Sequence, residues 1–451
     1  MKKNQFLFFV LMMCVSLVSF GKDKSIFVPQ KPEHVTLPNG LEIFFIENHE
    51  LPVVDMMFYI KGGSVYDPKG KEGLSQLMIQ SLRLGGSDKK TPEEIEESLE
   101  QVSATLEMGV QSEFYTGTLS LLKKDFSLGL QILTSLLRNP SFQKDRFELV
   151  KSHILESIER EQEEPFSYAN KEFFKMIYQN DSSRSQNAWG RYASVESVKK
   201  ISRDDVVGYF KKNLCPDRMV LAVSGDTSSE DLVAKIEKAT SGWARCGSDL
   251  SPVDPVRESE KPRQKVLTRP ELTQSSVLVG HLGTSRFNPD KFALQVMNFL
   301  LGGGGALNSR MGEEIRSNAG KAYVVYSDFG FGKDKGVFRL IAQTAVANTD
   351  WVVKKIKDMV AELQKGEKGK ATAEEVDRAK KGILRSLMFD FETPFAQVKE
   401  QARFAVLGYP ENYIQDFQKK ISAVSTSDVN RVAHEYLKPA DLSTLVFTRD
   451  K

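Results

Sequence analysis

The sequence predicts an α+β protein made of two similar halves, and two observations support this prediction. Strand-like runs and helical stretches are mixed without a regular βαβ order; in "VTLPNGLEIFFIEN" a Pro-Asn-Gly turn joins two strand runs. This mixture favours helices on one face of a largely antiparallel sheet. The second observation is an internal repeat, because residues 201–226 resemble residues 424–450: an Asp precedes a helical stretch, and Leu-x-Pro and an apolar strand run come after it.

The repeat extends further and divides the chain into domains. "LGLQILTSLLRNPSF" and the long charged helix after it are matched by "VVKKIKDMVAELQKG" and the helix after that segment. Both long helices end in acidic residues before a Pro-Phe turn, where proline disfavours further helix. Residues 247–264 are rich in Pro, Ser and charge and have no apolar period, which indicates a linker. We therefore predict an N-terminal domain of residues 28–246 and a C-terminal domain of residues 265–451.

The overall charge does not favour nucleic acid as a partner. The 451 residues include 62 Lys and Arg against 60 Asp and Glu, a net charge of +2. No dense basic patch is interleaved with aromatic residues, so the sequence gives no electrostatic reason to expect nucleic acid. Beyond the first residues, no apolar stretch reaches the roughly 20 residues that a membrane helix requires.

Residues 1–21 are typical of a secretory signal peptide. Two lysines precede an apolar run from Phe6 to about Val18, and Ser19 and Gly21 supply the small residues that a signal peptidase recognises. We expect cleavage after Gly21 and export to the periplasm. The alternatives are a retained anchor helix and lipidation at Cys14, although Cys14 lacks a small residue before it.

Two cysteines, Cys215 and Cys246, remain after the signal peptide. An oxidising compartment would permit a disulfide between them. The sequence does not give the distance between their Cα atoms, so two separate buried thiols are an equally good interpretation.

The stretch "GKEGLSQLMIQSLRLGGS", residues 70–87, predicts an amphipathic helix. Its apolar residues recur at helical spacing, at Leu74, Leu77, Met78 and Leu82. Residues three and four apart on a helix are neighbours, so Gln76, Ile79 and Gln80 share one side of it.

Two longer segments carry a family resemblance. "PNGLEIFFIENHELPVVDMMFYIKGGSVYDPKGKEGLSQLM" contains a hairpin, a strand, a Gly-Gly turn and a helix, and "LGGGGALNSRMGEEIRSNAGKAYVVYSDFG" lies in the second half. Both resemble the pitrilysin, insulinase and mitochondrial processing peptidase family of zinc peptidases, over residues 32–450. The resemblance implies two homologous α/β-roll halves, each a mainly antiparallel sheet covered by helices, that face each other across a chamber.

This chain departs from the family's zinc motif, His-x-x-Glu-His, whose two His bind Zn²⁺ and whose Glu activates the bound water. The matching positions hold Gln76, Ile79 and Gln80, and the position of the third ligand, a Glu on a later helix, holds Ser157. Glutamine has neither the basicity of imidazole nor the charge of a carboxylate, and isoleucine cannot accept a proton. We therefore expect neither a catalytic residue nor a metal in this chain.

The second-half segment keeps the family's substrate-binding pair. Arg316 and Tyr323 stand seven residues apart in "RSNAGKAY", as the family's Arg and Tyr do. The resemblance implies that their guanidinium and hydroxyl donors bind the carbonyl oxygen of the scissile peptide. The alternative is structural: Arg316 caps its own helix, and Tyr323 begins a strand and packs against the core.

Other chemistry has less support. No two of the five His lie within one helical turn. His153 and Glu156 share a helix face, but a solvated charged helix explains them better than a metal site. No Gly-x-Ser-x-Gly is present, and neither Cys215 nor Cys246 has the signature of a catalytic thiol. Leu301–Gly305 lacks the Gly-Lys-Ser/Thr ending of a phosphate loop and is better explained as a flexible turn.

These observations lead to three hypotheses. In several members of the family two chains pair, one with the zinc motif and the other with only Arg and Tyr. The sequence therefore predicts the non-catalytic, substrate-binding subunit of an exported heterodimeric zinc peptidase for peptides or unfolded segments, with zinc in the partner. The second hypothesis is a stand-alone peptide- or protein-binding pseudoenzyme of the cell envelope. The third is an enzyme with relocated zinc ligands, and under each a homodimer is possible.

Overall fold

A computed structural model of the chain describes residues 27–179, 186–258, 261–304, 308–366 and 369–450. The predicted signal peptide, residues 1–21, lies outside the described residues. No helix in the described part of the chain is long and apolar enough to cross a membrane.

The N-terminal half is built on one six-stranded sheet. Its strands are β1 (Glu33–Thr36), β2 (Glu42–Glu47), β3 (Val53–Lys61), β4 (Thr105–Val110), β5 (Phe114–Leu122) and β6 (Met219–Gly225). They lie in the order β1-β2-β6-β3-β5-β4, in which β2 and β6 are parallel and the other pairs antiparallel. The helices are α1 (Leu74–Leu84), α2 (Pro92–Gln101), α3 (Phe126–Arg138), α4 (Lys144–Glu163), α5 (Pro165–Ile177), α6 (Val195–Lys200), α7 (Arg203–Asn213) and α8 (Ser229–Thr240).

The C-terminal half is built on a five-stranded sheet. The strands of this half are β7 (Gln264–Thr268), β8 (Gln274–Leu282), β9 (Thr284–Ser285), β10 (Val324–Phe329), β11 (Phe331–Gly332), β12 (Val337–Ala345) and β13 (Ser443–Thr448). The sheet order is β10-β12-β8-β13-β7, and β9 and β11 form a separate short pair. The helices are α9 (Lys291–Asn298), α10 (Thr349–Lys365), α11 (Ala373–Phe389), α12 (Pro394–Val406), α13 (Tyr413–Ala423) and α14 (Thr426–Tyr436), with π-helical turns at Phe299–Gly303 and Gly312–Asn318.

The two halves share one topology. The order β7-β13-β8-β12-β10 repeats β2-β6-β3-β5-β4, and β7 pairs with β13 in parallel as β2 does with β6. The repeated helix before the last strand begins the same way in each half, because Ser202 with Asp205 and Ser425 with Asp428 form matching capping boxes. The predicted α+β class and its two similar halves, each a mainly antiparallel sheet covered by helices, are confirmed.

Each half has one helix that packs on the sheet of the other half. Helix α5 packs on β8 and β13 of the C-terminal sheet, and Phe173 of α5 is fully buried there with Leu278 and Phe447. Helix α12 packs on β2, β3 and β6 of the N-terminal sheet, and its Val398 and Ala402 are fully buried. Because each sheet is covered on one face by the other half, the halves form one interlocked body.

Most described residues of the predicted linker are exposed, and β7 begins at its last residue, Gln264. Cys215 and Cys246 form a disulfide, with their Cα atoms 5.4 Å apart. The structure therefore selects the paired state from the two interpretations that the sequence left open.

Candidate functional site

Helix α1 begins where a buried carboxylate binds its free amides. The first N–H groups of a helix have no partner within the helix. Asp67 accepts hydrogen bonds from the backbone N–H of Gly73 at 2.8 Å and of Ser75 at 2.9 Å. Gly73 has a φ of 101°, and a Cβ there would lie 2.9 Å from Val198 Cγ2, so the position requires glycine.

The cap continues into a buried polar network. The Ser75 hydroxyl donates to Asp67 and lies 3.1 Å from the Tyr115 hydroxyl and 3.4 Å from the Tyr209 hydroxyl. Burial raises the pKa of Asp67 from 3.8 to about 6, against the hydrogen bonds from Ser75 and Gly73, which lower it. Burial also raises the pKa values of Tyr115 and Tyr209. The network holds the start of α1 rigidly in the core.

Of the four positions that match the family's zinc ligands and general base, only two lie at one cavity. Gln76 and Ser157 line the same cavity. Ile79 is fully buried in the core, and Gln80 is half-buried and does not line this cavity. The Ser157 hydroxyl donates to the Ile154 carbonyl of its own helix at 2.8 Å.

The cavity beside α1 has a volume of about 380 Å³ and is lined by three acidic and two basic side chains. Two ion pairs stand in its wall: Glu161 with Lys171 at 2.6 Å, and Glu72 with Arg191 at 3.6 Å. The remaining polar lining is Ser64, Asp67, Gln76, Ser112, Ser157, Trp189 and Tyr192. Val110, at the end of the edge strand β4, lines the same cavity.

The two ion pairs in the cavity wall could not be predicted from the sequence. Lys171 lies on α5 and Arg191 on a loop, roughly a hundred residues beyond α1 in the chain. No local spacing pattern connects such distant positions, so only the fold brings them together.

The residues of this cavity do not fit a zinc ion. Zinc sites in proteins use thiolate, imidazole or carboxylate ligands. Gln76 and Ser157 offer only a neutral amide and a hydroxyl. The three carboxylates of the lining are already bound, Asp67 by the α1 amides, Glu72 by Arg191 and Glu161 by Lys171. Among the described residues, the one compact group of potential metal ligands is Cys215, Asp217 and Cys246, and its two thiols are consumed by the disulfide.

Arg316 and Tyr323 lie on the surface of the C-terminal half. Arg316 is exposed in the second π-helical turn, and the Tyr323 residue is 61% exposed directly before β10. Neither side chain hydrogen-bonds to another described residue, and neither lines the cavity beside α1. Tyr323 therefore does not pack against the core, in contrast to the structural alternative.

The loop between these two residues is fixed from within. Lys321 donates its backbone N–H to the Ile315 carbonyl at 2.9 Å and its ammonium to Asn348 at 3.0 Å. The buried Thr344 hydroxyl donates to the Lys321 carbonyl, and the Tyr323 N–H donates to the Gln343 carbonyl at 2.9 Å. The exposed pair thus stands on a rigid base.

Two π-helical turns, rare in proteins and common near functional sites, occur in this segment. The glycine run Leu301–Gly305 belongs to the first turn up to Gly303, and Gly305 lies outside the described residues. His153 and Glu156 are both exposed on α4, as expected for a solvated helix face.

A duplicated α/β roll of metallopeptidase type, whose first-half site lacks zinc ligands and base, defines a non-catalytic homologue. The model for insulinase (peptidase family M16) matches residues 43–186, and the model for the peptidase M16 inactive domain matches residues 200–383. The chain belongs to the insulinase family, peptidase family M16, as one of its non-catalytic members.

Several known proteins are similar to this chain over nearly its whole length. A protein of Helicobacter pylori named as a non-peptidase homolog is 26% identical over 411 residues, 91% of this chain and 92% of that relative. A Bacillus subtilis protein named as an uncharacterized zinc protease is 21% identical, over 89% of this chain and 94% of its own. The crystal structure of a peptidase M16 inactive domain from Pseudomonas fluorescens superposes with a TM-score of 0.83 at 22% identity, covering 94% of this chain and 98% of that one.

Proposed function

We propose that this chain is the non-catalytic, substrate-binding subunit of an exported heterodimeric zinc peptidase. It forms half of the chamber and supplies Arg316 and Tyr323 to bind substrate. The zinc, the general base and the bond cleavage belong to a partner chain of the same family. The substrates are peptides or unfolded protein segments.

The observation that carries this proposal is the exposed pair on its fixed loop. An arginine and a tyrosine that served only the fold would be bonded or packed, whereas both side chains here are free of described partners. Because Lys321 and Thr344 already hold the loop, little conformational freedom is lost when the pair binds. The non-catalytic site in the other half is consistent with cleavage by a second chain.

The first test is native purification from the cell envelope with identification of the proteins that co-purify. We expect a one-to-one complex with a chain of similar size that carries His-x-x-Glu-His. A purified single chain that contains stoichiometric zinc and hydrolyses unfolded peptides would contradict the proposal.

Substitutions in the complex test the pair directly. Removing one preorganised donor to a developing oxyanion costs about 10²–10³ in kcat, so Arg316→Ala and Tyr323→Phe should each lower turnover by roughly that factor. Arg385→Ala is the matched control, because Arg385 is also exposed and has no partner among the described residues. An equal loss in the control would show that the effect is not specific to the pair.

A second candidate function is peptide binding without a catalytic partner, and the cavity beside α1 favours it. Strand β4 is the last strand of its sheet. Its Leu106 carbonyl accepts from Arg83 at 2.7 Å, and the rest of its outer edge has no neighbouring strand, so an extended peptide can pair there. Val110 at its end, and the neutral Gln76 and Ser157, line the adjoining cavity, where they can meet a side chain or peptide amide.

Fluorescence polarisation of the single chain with a labelled unstructured peptide tests this second function. We expect saturable binding that Ser157→Trp abolishes, since the indole would fill the cavity, while Arg316→Ala leaves it unchanged. Binding that depends instead on Arg316, or no binding, would reject this candidate.

Export is the remaining part of the proposal and rests on residues 1–21. The intact mass of the protein from the periplasmic fraction should correspond to a chain that begins at Lys22. A chain beginning at Met1 in the membrane fraction would support the retained anchor instead.

A further inference from the structure

Part of the predicted linker forms a wall of a cavity that adjoins the candidate site. Residues 251–254 line a second cavity of about 330 Å³. That cavity shares four lining residues with the cavity beside α1, namely Val65, Asp67, Ala188 and Arg191. The two cavities therefore adjoin each other along these four residues, and this piece of linker forms part of the wall of the second cavity.

The segment is anchored on its N-terminal side by a covalent bond and two hydrogen bonds. Cys246 is joined to Cys215, which is only 3% exposed. The Cys246 N–H donates to Asp217 at 3.0 Å, and the buried Arg218 donates to the Ser248 carbonyl at 2.7 Å. The base of this anchor lies in the N-terminal half, just before β6.

A second anchor holds the C-terminal side. The Asn187 side chain donates to the Asp254 carbonyl at 3.0 Å and to the Pro255 carbonyl at 3.2 Å. The N–H of Val256, a buried residue, donates to Asp334 of the C-terminal half. This anchor therefore depends on both halves.

Between the anchors the segment has few contacts that could hold it. Residues 249–253 make no hydrogen bond to any described residue. Leu250 and Val253 are half-buried, whereas Asp249, Ser251 and Pro252 are exposed. A short segment with few bonds of its own opens locally at low cost once an end is released.

We propose that residues 249–256, here called the strap, are a lid over these two adjoining cavities, and that the Cys215–Cys246 disulfide is its releasable anchor. A dithiol reductant attacks the more exposed Cys246 sulfur and displaces the Cys215 thiolate. The reductant gives up two electrons and two protons and becomes a disulfide, while both cysteines become thiols. This proposal stands on the strap alone and does not depend on a partner chain.

Trp189 provides a direct readout of cavity access, because it lines the cavity beside α1. In a chain carrying Trp243→Phe and Trp351→Phe, Trp189 is the only tryptophan left. We expect reduction of this chain to increase acrylamide quenching of Trp189 severalfold. Hydrogen exchange of residues 250–256 should become about tenfold faster or more, with strands β3 and β6 unchanged.

A second variant tests the strap with the disulfide intact. Asp334→Ala removes the acceptor for the Val256 N–H and should reproduce the effects of reduction on Trp189 and on strap exchange. Asp249→Ala is the matched control, since Asp249 lies in the strap without a described partner, and it should change neither measurement.

Two outcomes would overturn the proposal. The first is unchanged quenching and exchange after mass spectrometry has shown two free thiols. The second is faster exchange that extends into β3 and β6, which would show that the disulfide holds the fold and not the strap.

Discussion

The two halves share one sheet order but differ in the segments that come after the equivalent strands β3 and β8. In the N-terminal half, Asp67-Pro68 leads into a regular helix whose first amides the carboxylate binds. In the C-terminal half, Asn288-Pro289 leads into the shorter α9. There the Asn288 side-chain oxygen accepts from one backbone amide, the Asp290 N–H at 2.8 Å, and from the Tyr436 hydroxyl at 3.4 Å. Two π-helical turns come next there in place of regular helix.

This difference shows how a duplicated fold divides its chemistry. The first half encloses a polar cavity with Gln76 and Ser157 at two of the family's zinc-ligand positions, while the second presents a cation and a phenol on its surface. Each half uses the same scaffold, and the local helix geometry decides whether polar side chains are turned inward or outward. Substitutions in each half can test that contrast, from the largest expected effect to the smallest.

The largest effect on stability is expected at the two helices that pack on the sheet of the other half, because their buried side chains differ in size. Helix α5 contributes the fully buried Phe173 to the C-terminal sheet, and α12 contributes the smaller Val398 to the N-terminal sheet. Phe173→Ala should lower the free energy of unfolding by about 3–5 kcal/mol. Val398→Ala should lower it by about 2 kcal/mol, since fewer methyl groups are removed. Urea unfolding measures both; equal losses would show that α5 is not the stronger link.

The next effect is the contribution of Asp67, in the first half, to the dependence of stability on pH. The pKa of Asp67 is 3.8 when unfolded and about 6 when folded, so the folded state favours the protonated carboxyl. This contribution to stability is complete below about pH 4 and is lost as the pH rises through 6, a change of about 3 kcal/mol.

The variant Asp67→Asn isolates that contribution, since asparagine does not titrate. Its stability is expected to fall less than that of the unchanged protein between pH 4 and pH 7, even though it loses one acceptor for the α1 amides. Asn288 occupies the comparable place in the second half and makes no such contribution. Identical pH profiles for variant and parent would assign the titration to other groups.

A smaller effect is expected in the π-helical part of the second half. A Cβ at Gly302 would lie 2.6 Å from the Ser327 backbone nitrogen and 2.8 Å from Met311 Sδ. Gly302→Ala should therefore destabilise the protein by about 1–3 kcal/mol. Gly208→Ala, on α7 with open space around its Cα, is the control and should stabilise it by about 0.5–1 kcal/mol. Thermal unfolding of the pair decides whether the π-helical turn is tightly packed.

The smallest effect on stability is expected at the exposed pair. Arg316→Ala and Tyr323→Phe remove groups without described partners, so the free energy of unfolding should stay within about 0.5 kcal/mol of the parent. Chemical denaturation checks this. A loss of unfolding free energy well above that limit would mean that the two side chains stabilise the fold. A lower turnover of the variants could then not be assigned to substrate binding.

The sequence predicted the parts of the structure that depend on local patterns. Apolar spacing predicted the helix that runs from Leu74 to Leu84, and the repeated Asp before α7 and α14 reflects a capping box in each half. The resemblance placed Gln76 and Ser157 in corresponding positions of one site, and both line the cavity.

The remaining features depend on contacts that no local pattern encodes. Apolar periodicity shows that a face of α5 or α12 is buried, but not that the other half covers it. Lys171 and Arg191 reach the cavity through the same long-range packing. The π-helical turns have no propensity signal of their own, because the hydrogen-bond register changes without a change in residue type.

The exchanged helices link the order of folding to the order of synthesis. The face of the first sheet that carries Phe44, Ile46 and Tyr59 is covered by α12, which ends only at Val406. While a ribosome is still making the second half, that apolar face has no cover from its own chain. The first half therefore cannot bury this face by itself, and the protein can complete its folding only after nearly all of it has been made.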